Sequence, residues 1–473
     1  MSSARSSARS QSDSRGSSKK PWIITAVLAL GCAGTGVWAV PQFMHAQELK
    51  DGAKSSFSVP AAVAPSTPET TGSTDPKELE QSLNTIAQGF SAGNISGKVI
   101  DAQSGQVLFA SAADTPRVPA SNFKILTDYT LFKVSDPSAR YTTKVTQHDD
   151  QLTLVGGGDT LLGTGESNDS LTVGHAGLRT LAQKTVDSLA NTSTKKFTVN
   201  VDTSMYSGPA KNSAWDPEDI AAGFVNNLAP VAFYSHYSPG ADGRSTTERP
   251  TDPAGQVQKY LVQELNNLGA QKGLTFEVGG NKTADSSAKT IGAVESATVA
   301  EQAAYMMQES DNMLAEVLGR NAAVAAGRQG SEDAAKKLVR ETLEQNGIST
   351  EGLAQTDLCG LSMDNQVTNT TLTQITSAMV AGQDGESAAL AGFPVAGGSG
   401  TLESRFDDSN EEAARGYARA KTGTLNKVIS LTGYTQNANG QTLVYSFITN
   451  DVTDTAAAKN TLDASVAAVA DRH

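Results

Sequence analysis

Apolar residues first recur with a regular period shortly before residue 80 of this 473-residue chain. Leu79, Leu83, Ile86 and Phe90 follow the three- and four-residue spacing of an amphipathic helix. Short apolar runs bounded by glycine and polar turn residues come next, and they predict strands. Runs of both kinds continue to the C-terminus, so the pattern predicts a sheet with helices packed on it.

The elements predicted from this pattern cover most of the chain after residue 77. The predicted strands are 95–100, 106–110, 142–147, 151–155, 197–201, 428–434 and 442–449. The predicted helices are 178–189, 256–268, one that begins near residue 299, and 456–470. Segment 236–253 is polar and rich in turn residues, which predicts a loop.

The N-terminal region has a different composition. Residues 1–20 carry five basic side chains against one acid and too few apolar groups to fold. Residues 21–40 are uncharged and mostly apolar, just long enough to cross a bilayer at about 1.5 Å per residue. The basic tail predicts that the N-terminus stays in the cytoplasm, and a Ser/Thr/Pro-rich linker follows at 41–76. Anchor and cleaved signal peptide remain alternatives, but both predict a protein of the cell envelope, tethered to the cytoplasmic membrane or secreted.

Charge and cysteine content exclude several classes of function. A net charge of -13 argues against a nucleic-acid-binding face. Cys32 lies in the apolar N-terminal segment and Cys359 lies far downstream, so the sequence offers neither a disulfide framework nor a zinc site. The five histidines lie in no G-x-S-x-G or H-E-x-x-H context, which argues against a Ser-His-Asp hydrolase or a zinc peptidase. We therefore expect neither a cofactor nor a metal.

Three short motifs carry the chemistry. In chain order they are S-x-x-K, S-D-N and K-T-G, the three elements of penicillin-recognising serine acyl-enzymes. Each motif alone is common, but the ordered set is specific. Their functional side chains are Ser121, Lys124, Ser310, Asn312 and Lys421.

The spacing within the first two motifs predicts an activated nucleophile. If Ser121 opens a helix, Lys124 lies on the same face and can act as its base when neutral. Burial and the charge of Lys421 would keep that amine neutral. Ser310 would relay a proton towards the leaving nitrogen, and Asn312 would hold the lysine and a substrate amide. The alternative is an ordinary helix with capping serines, Ser310 being at an N-cap.

The third motif predicts substrate binding. Thr422 and Thr424 offer hydroxyls to a carboxylate, and Gly423 lets a substrate backbone approach. The N–H groups of Thr424 and Ser121 would form an oxyanion hole, each donor contributing roughly 3 kcal/mol. The strand that follows, 428–434, has the pattern of an edge strand; a basic turn between strands is the alternative.

The chain resembles one family within this group. The run from Val118 to Lys124 is similar to the P-A-S-x-x-K of the penicillin-binding-protein-4-type D-alanyl-D-alanine carboxypeptidases/endopeptidases, peptidase family S13. The resemblance extends from about residue 77 to the C-terminus. Further matching landmarks are Gly156–Asp159, Val201-Asp202, Ser207-Gly208-Pro209, Gly360-Leu361-Ser362, Pro394–Gly397 and Gly400-Thr401-Leu402.

This resemblance implies an α/β fold. A transpeptidase/β-lactamase-like domain, an antiparallel sheet with helices on both faces, would comprise residues 77–140 and 282–473. An inserted mixed α/β domain would occupy 141–281. Within the insertion, Asp219 follows Trp215 as does the family's acid that binds the free amine of a stem peptide. The alternative for this acid is simple stabilisation of a helix N-terminus.

The resemblance also implies an activity. The expected enzyme is a serine-type D-Ala-D-Ala carboxypeptidase that cleaves peptidoglycan stem peptides through an acyl-enzyme at Ser121, with endopeptidase activity left open. β-Lactams would be covalent inhibitors. A β-lactamase and an inactive cell-wall binding protein are the alternatives. The chain departs from the family at Leu358, Cys359 and Ser399, which could alter substrate preference.

Overall fold

The computed structural model describes residues 73–470, except the side chains of 383–386. The predicted cytoplasmic tail, the membrane segment and nearly all of the linker lie outside the described residues. The helices are α1 Pro76–Gly89, α2 Lys124–Val134, α3 Leu178–Ser188, α4 Pro217–Ala221, α5 Pro253–Gly269, α6 Val299–Glu309, α7 Asn312–Ala325, α8 Glu332–Gln345, α9 Asn369–Ala381 and α10 Thr455–Ala470. The strands are β1 Asn94–Asp101, β2 Val107–Ser111, β3 Arg140–His148, β4 Gln151–Val155, β5 Asp159–Leu162, β6 Lys196–Asp202, β7 Val231–Phe233, β8 Thr275–Asn281, β9 Lys289–Thr298, β10 Arg419–Leu425, β11 Val428–Gln436 and β12 Thr442–Asn450.

The first sheet joins the two ends of the described chain. Its strand order is β10-β11-β12-β1-β2, and all neighbours are antiparallel. Asn94 pairs with Asn450, so the first strand is held by the last one. The order corrects one prediction: β11 lies inside the sheet, and β10, which carries K-T-G, is the edge strand.

Each face of this sheet is covered by its own helices, because apolar residues alternate along the strands. Val99 belongs to a core with α1 and α10, whereas its neighbour Ile100 belongs to a core with α2 and α9. In the same way, Tyr445 belongs to the core with α1 and α10, and Val444 belongs to the core with α2 and α9. The predicted antiparallel sheet with helices on both faces is therefore confirmed.

A second sheet is formed by the segment between α2 and α6. Its order is β8-β6-β4-β3-β9; β3 is antiparallel to both neighbours, and β6 is parallel to both of its own. Helices α3 and α5 pack on it. Because β9 pairs with β3, this sheet reaches Thr298, beyond the boundary expected at residue 281.

Candidate active site

The first motif lies in a tight turn ahead of a buried helix. Ala120 has a left-handed φ of 49°, and the 3₁₀ turn Ala120–Phe123 leads directly into α2 at Lys124. The predicted helix thus begins three residues later than Ser121. Residues of α2 are buried from Lys124 to Phe132, so the helix is surrounded by the core and its N-terminal turn is held firmly.

Lys124 is fully buried and has three polar neighbours. Its Nζ lies 3.0 Å from Ser121 Oγ, 2.7 Å from Asn312 Oδ1 and 2.7 Å from the Cys359 carbonyl oxygen. Burial lowers the pKa of Lys124, and the negative potential of nearby groups, first Cys359 and Asp357, opposes that shift. Burial acts as expected; the contribution expected from Lys421 stays a prediction.

The second motif is the junction between two helices. Ser310 ends α6 in a left-handed conformation with φ 55°, and Asp311 starts α7 by accepting a hydrogen bond from Leu314 N at 2.9 Å. The alternative of an N-cap at Ser310 is therefore wrong, because Asp311 is the cap. The sharp turn places Ser310 and Asn312 in the same junction. Asn312 contacts Lys124, and Ser310 contacts Lys421.

The third motif lies along β10. Lys421 is buried, and its Nζ donates to Ser310 Oγ at 2.9 Å and to the Thr422 carbonyl at 3.0 Å. The Thr422 hydroxyl lies 2.8 Å from that of Thr401. Thr424 follows at the end of the motif, opposite Ile429 of β11. The alternative of a basic turn between strands is wrong for this segment, since it is itself a strand.

Gly423 brings β10 against the serine turn. A Cβ at this position would lie 2.6 Å from the Pro119 carbonyl oxygen and 3.0 Å from Ala120 Cβ. Only glycine permits this approach. The structure therefore brings together Ser121 with Lys124 and Asn312, and Lys421 with Ser310, around one junction.

Asp219 lies in the short helix α4, next to the cap residue Asp216. Partial burial raises the pKa of Asp219 to about 6, and the negative charges of Asp216 and Glu218 add to this shift. Its carbonyl accepts a hydrogen bond from Phe224 N at 3.0 Å, and the Phe224 carbonyl is 3.4 Å from Asn312 Nδ2. The segment that carries Asp219 thus reaches the second motif through its backbone.

Sequence reasoning missed one contributor to the site. The Cys359 carbonyl bonds Lys124, yet residues 358 and 359 were noted only for departing from the family pattern. A backbone oxygen leaves no side-chain signature in a sequence. Within the described residues, ligand atoms of Glu316, Asp357 and Cys359 also lie within 4.8 Å of one another, the spacing of a metal site. Backbone N–H groups already occupy three of the four carboxylate oxygens.

The chain is similar to known proteins of one family. The model of the D-Ala-D-Ala carboxypeptidase 3 (S13) family matches residues 79–238 and 236–472. A carboxypeptidase of Mycobacterium tuberculosis is 33% identical over 411 residues, which cover 83% of each chain. Carboxypeptidase DacB of Mycolicibacterium smegmatis is 35% identical over 368 residues, covering 76% of this chain and 77% of that protein.

Among solved structures, penicillin-binding protein 4 of Haemophilus influenzae has the same fold. It superimposes with a TM-score of 0.66 at 16% identity, covering 84% of this chain and all of that one. A complex of that protein with a β-lactam gives a TM-score of 0.57 at 17% identity, covering 78% and 93% of the two chains. From the family match along most of its length, the chain belongs to the D-Ala-D-Ala carboxypeptidase (S13) family.

Proposed function

We propose that this protein is a serine D-Ala-D-Ala carboxypeptidase of the cell wall, with Ser121 as its nucleophile. The observation that carries the proposal is the position of the Lys124 amine, 3.0 Å from Ser121 Oγ. A serine hydroxyl attacks a carbonyl only when a base accepts its proton, and a neutral amine is such a base.

The partners of Lys124 favour that role. Asn312 Oδ1 and the Cys359 carbonyl can only accept hydrogen bonds, so they take both N–H donors of a neutral amine. The lone pair is then left for the hydroxyl of Ser121. Burial, which disfavours the ammonium form, supplies the required neutral state.

Departure of the leaving amine needs a proton donor. Ser310 would be this donor; its hydroxyl lies 2.9 Å from Lys421 Nζ at the junction that also holds Asn312. The ammonium of Lys421 would orient the hydroxyl and supply positive potential. The backbone N–H groups of Ser121 and Thr424 would bind the oxyanion, each at roughly 3 kcal/mol.

The edge strand β10 is the surface proposed for the substrate. An extended peptide can pair with an edge strand, as in other peptide-binding proteins. Thr422 and Thr424 would contact the terminal carboxylate, and Gly423 keeps the strand close to the nucleophile. Asp219 would bind the free amine of the stem peptide.

The proposed partners follow from this chemistry. They are peptidoglycan stem peptides, with β-lactams as covalent inhibitors of Ser121; no nucleic acid is expected. The enzyme would work outside the cytoplasm, secreted or tethered by residues 21–40, which lie outside the described part. No helix among the described residues is both long and apolar enough to cross a membrane.

Labelling with a fluorescent penicillin tests the assignment. The wild type should form a stoichiometric covalent adduct, and Ser121→Ala should form none while keeping its melting temperature. Ser286→Ala, which changes an exposed serine, is the matched control. Covalent labelling of Ser121→Ala would refute the nucleophile.

Digestion of purified muropeptides distinguishes the activities. Release of D-alanine indicates a carboxypeptidase, and cleavage of cross-linked dimers indicates an endopeptidase. Rapid turnover of penicillin would instead indicate a β-lactamase. A folded protein that releases nothing from any muropeptide would be a binding protein.

A further inference from the structure

Residues 357–362, called here the floor loop, lie beneath the proposed catalytic lysine. Leu358 N and Cys359 N donate to Glu316 Oε1 at 2.8 and 3.0 Å. Gly360 N and Ser362 N donate to the two oxygens of Asp357 at 2.7 and 2.8 Å. Two buried carboxylates thus fix four backbone N–H donors of this loop.

This arrangement directs the loop carbonyls towards α2. The Leu358 carbonyl accepts from Thr127 Oγ1 at 2.6 Å, and the Cys359 carbonyl accepts from Lys124 Nζ at 2.7 Å. Gly360, with φ 82°, approaches so closely that a Cβ there would lie 2.1 Å from the Ala120 carbonyl. A shift of the floor loop would therefore move the partner of Lys124.

Glu316 is the unusual member of this group. It lies on α7 one turn after Asn312 and is completely buried. Its second oxygen, Oε2, has no hydrogen-bond partner among residues 73–470. A buried carboxylate oxygen without a partner destabilises the fold, but an apolar residue here would leave the N–H groups of Leu358 and Cys359 without an acceptor. The acid at this position therefore serves to hold the floor loop.

We propose that Glu316 is a positioning residue for the lysine base: it holds the floor loop so that the Cys359 carbonyl engages Lys124. This inference rests on the proposed function of Ser121 and Lys124. It extends that function by adding a residue that touches neither substrate nor nucleophile.

Several charged groups surround the two residues. Lys124 faces Asp357, Asp311 and Glu316, whose negative charge favours its protonated form, and the thiol of Cys359, whose pKa burial raises well above its usual range so that it stays uncharged. Glu316 in turn faces Asp357 and Glu332, which with burial raise its pKa to about 8, whereas Arg320 lowers it. Below about pH 8 the carboxyl is therefore mostly protonated, and it acts there as a hydrogen-bond acceptor rather than as a charge.

The substitution Glu316→Gln separates the hydrogen-bond acceptor from the charge. Glutamine keeps an oxygen for the N–H groups of Leu358 and Cys359 but carries no charge. Below about pH 8 the carboxyl of Glu316 is itself mostly uncharged, so glutamine imitates it there. Glu316→Gln should therefore be acylated by penicillin at close to the wild-type rate below that pH, with the acid limb of the rate unmoved.

The control is Glu341→Gln, on the surface of α8, where the carboxylate pairs with Arg328. It should be acylated at the wild-type rate. Glu316→Ala removes the acceptor as well, so we expect about a tenfold or greater loss of acylation rate at every pH. Partial recovery of that rate by glutamine would separate positioning from general packing.

Each outcome has one meaning. If wild type is acylated at Ser121 but Glu316→Gln loses as much rate as Glu316→Ala, the inference about Glu316 is overturned. If wild type is not acylated at all, the proposed function fails instead. If Glu316→Ala folds and reacts at the wild-type rate, the positioning role is refuted.

Discussion

Gly423→Ala tests whether the close approach of β10 to the serine turn is needed for reaction. The added methyl would meet the Pro119 carbonyl oxygen at 2.6 Å and Ala120 Cβ at 3.0 Å. Cβ atoms essentially never approach closer than 3.0 Å, and ordinary contact begins near 3.4 Å. The strand and the turn must therefore separate by about 0.4–0.8 Å.

Such a separation acts directly on the proposed oxyanion hole, since one donor belongs to the turn and the other to β10. A misplacement of about 1 Å costs about a hundredfold in rate. We expect the second-order rate constant for acylation by a fluorescent penicillin to fall by about 30- to 100-fold. The fold should survive, because Ser430 Oγ, the other atom in the way at 2.1 Å, can rotate at the cost of its hydrogen bond to the Pro119 carbonyl.

The matched control is Gly280→Ala in β8, where an added Cβ meets nothing within 4 Å. It should react at the wild-type rate. Thermal unfolding of both variants separates loss of reactivity from loss of fold. A folded Gly423→Ala protein that is acylated as fast as wild type would refute the reasoning.

Three further perturbations act on separate parts of the molecule. Burial raises the pKa of Asp159 to about 7, so wild type should lose about 4 kcal/mol of unfolding free energy as pH rises from about 4 to 7. Asp159→Asn should not show this loss. Parallel plots of unfolding free energy against pH for the two proteins, from urea unfolding, would contradict this. Asp219 has a pKa of about 6 and ionises as pH rises, so kcat/KM for amine-bearing stem peptides should increase through that pH. Above it, Asp219→Asn should lower kcat/KM by about tenfold. An amine-free analogue is the control, and equal losses for both substrates would exclude amine binding. Arg249 donates to the carbonyls of Gly223 and Ser235, both at 2.6 Å, so Arg249→Ala should lower the unfolding free energy by about 2–3 kcal/mol; wild-type stability in urea would contradict this.

Strands with a clear alternating pattern could be predicted from the sequence. The strand predicted at 151–155 is the observed β4, and those at 95–100 and 442–449 agree within one residue at each end. The short strands β5 and β7 were missed, because three or four residues buried throughout show no alternation. β8 is mostly exposed and contains two glycines, so its sequence looks like a loop.

The candidate site divides in the same way. Side chains in short motifs were predicted, because S-x-x-K, S-D-N and K-T-G keep their residue types at fixed spacing. The contribution of the Cys359 backbone was not predicted. Glu316 was not predicted either, because a glutamate in an apolar helix has no motif of its own. Its spacing of one turn from Asn312 was the available signal.

The pairing of Asn94 with Asn450 has a consequence for biogenesis. During synthesis, β1 must wait for nearly the entire remaining chain before β12 can cover its edge, and Lys421 also arrives late. Contacts between such distant residues form slowly. A nascent chain therefore contains Ser121 before Lys421 and β12 are in place. Reactivity towards penicillin should appear only once β12 has paired with β1, at the end of folding.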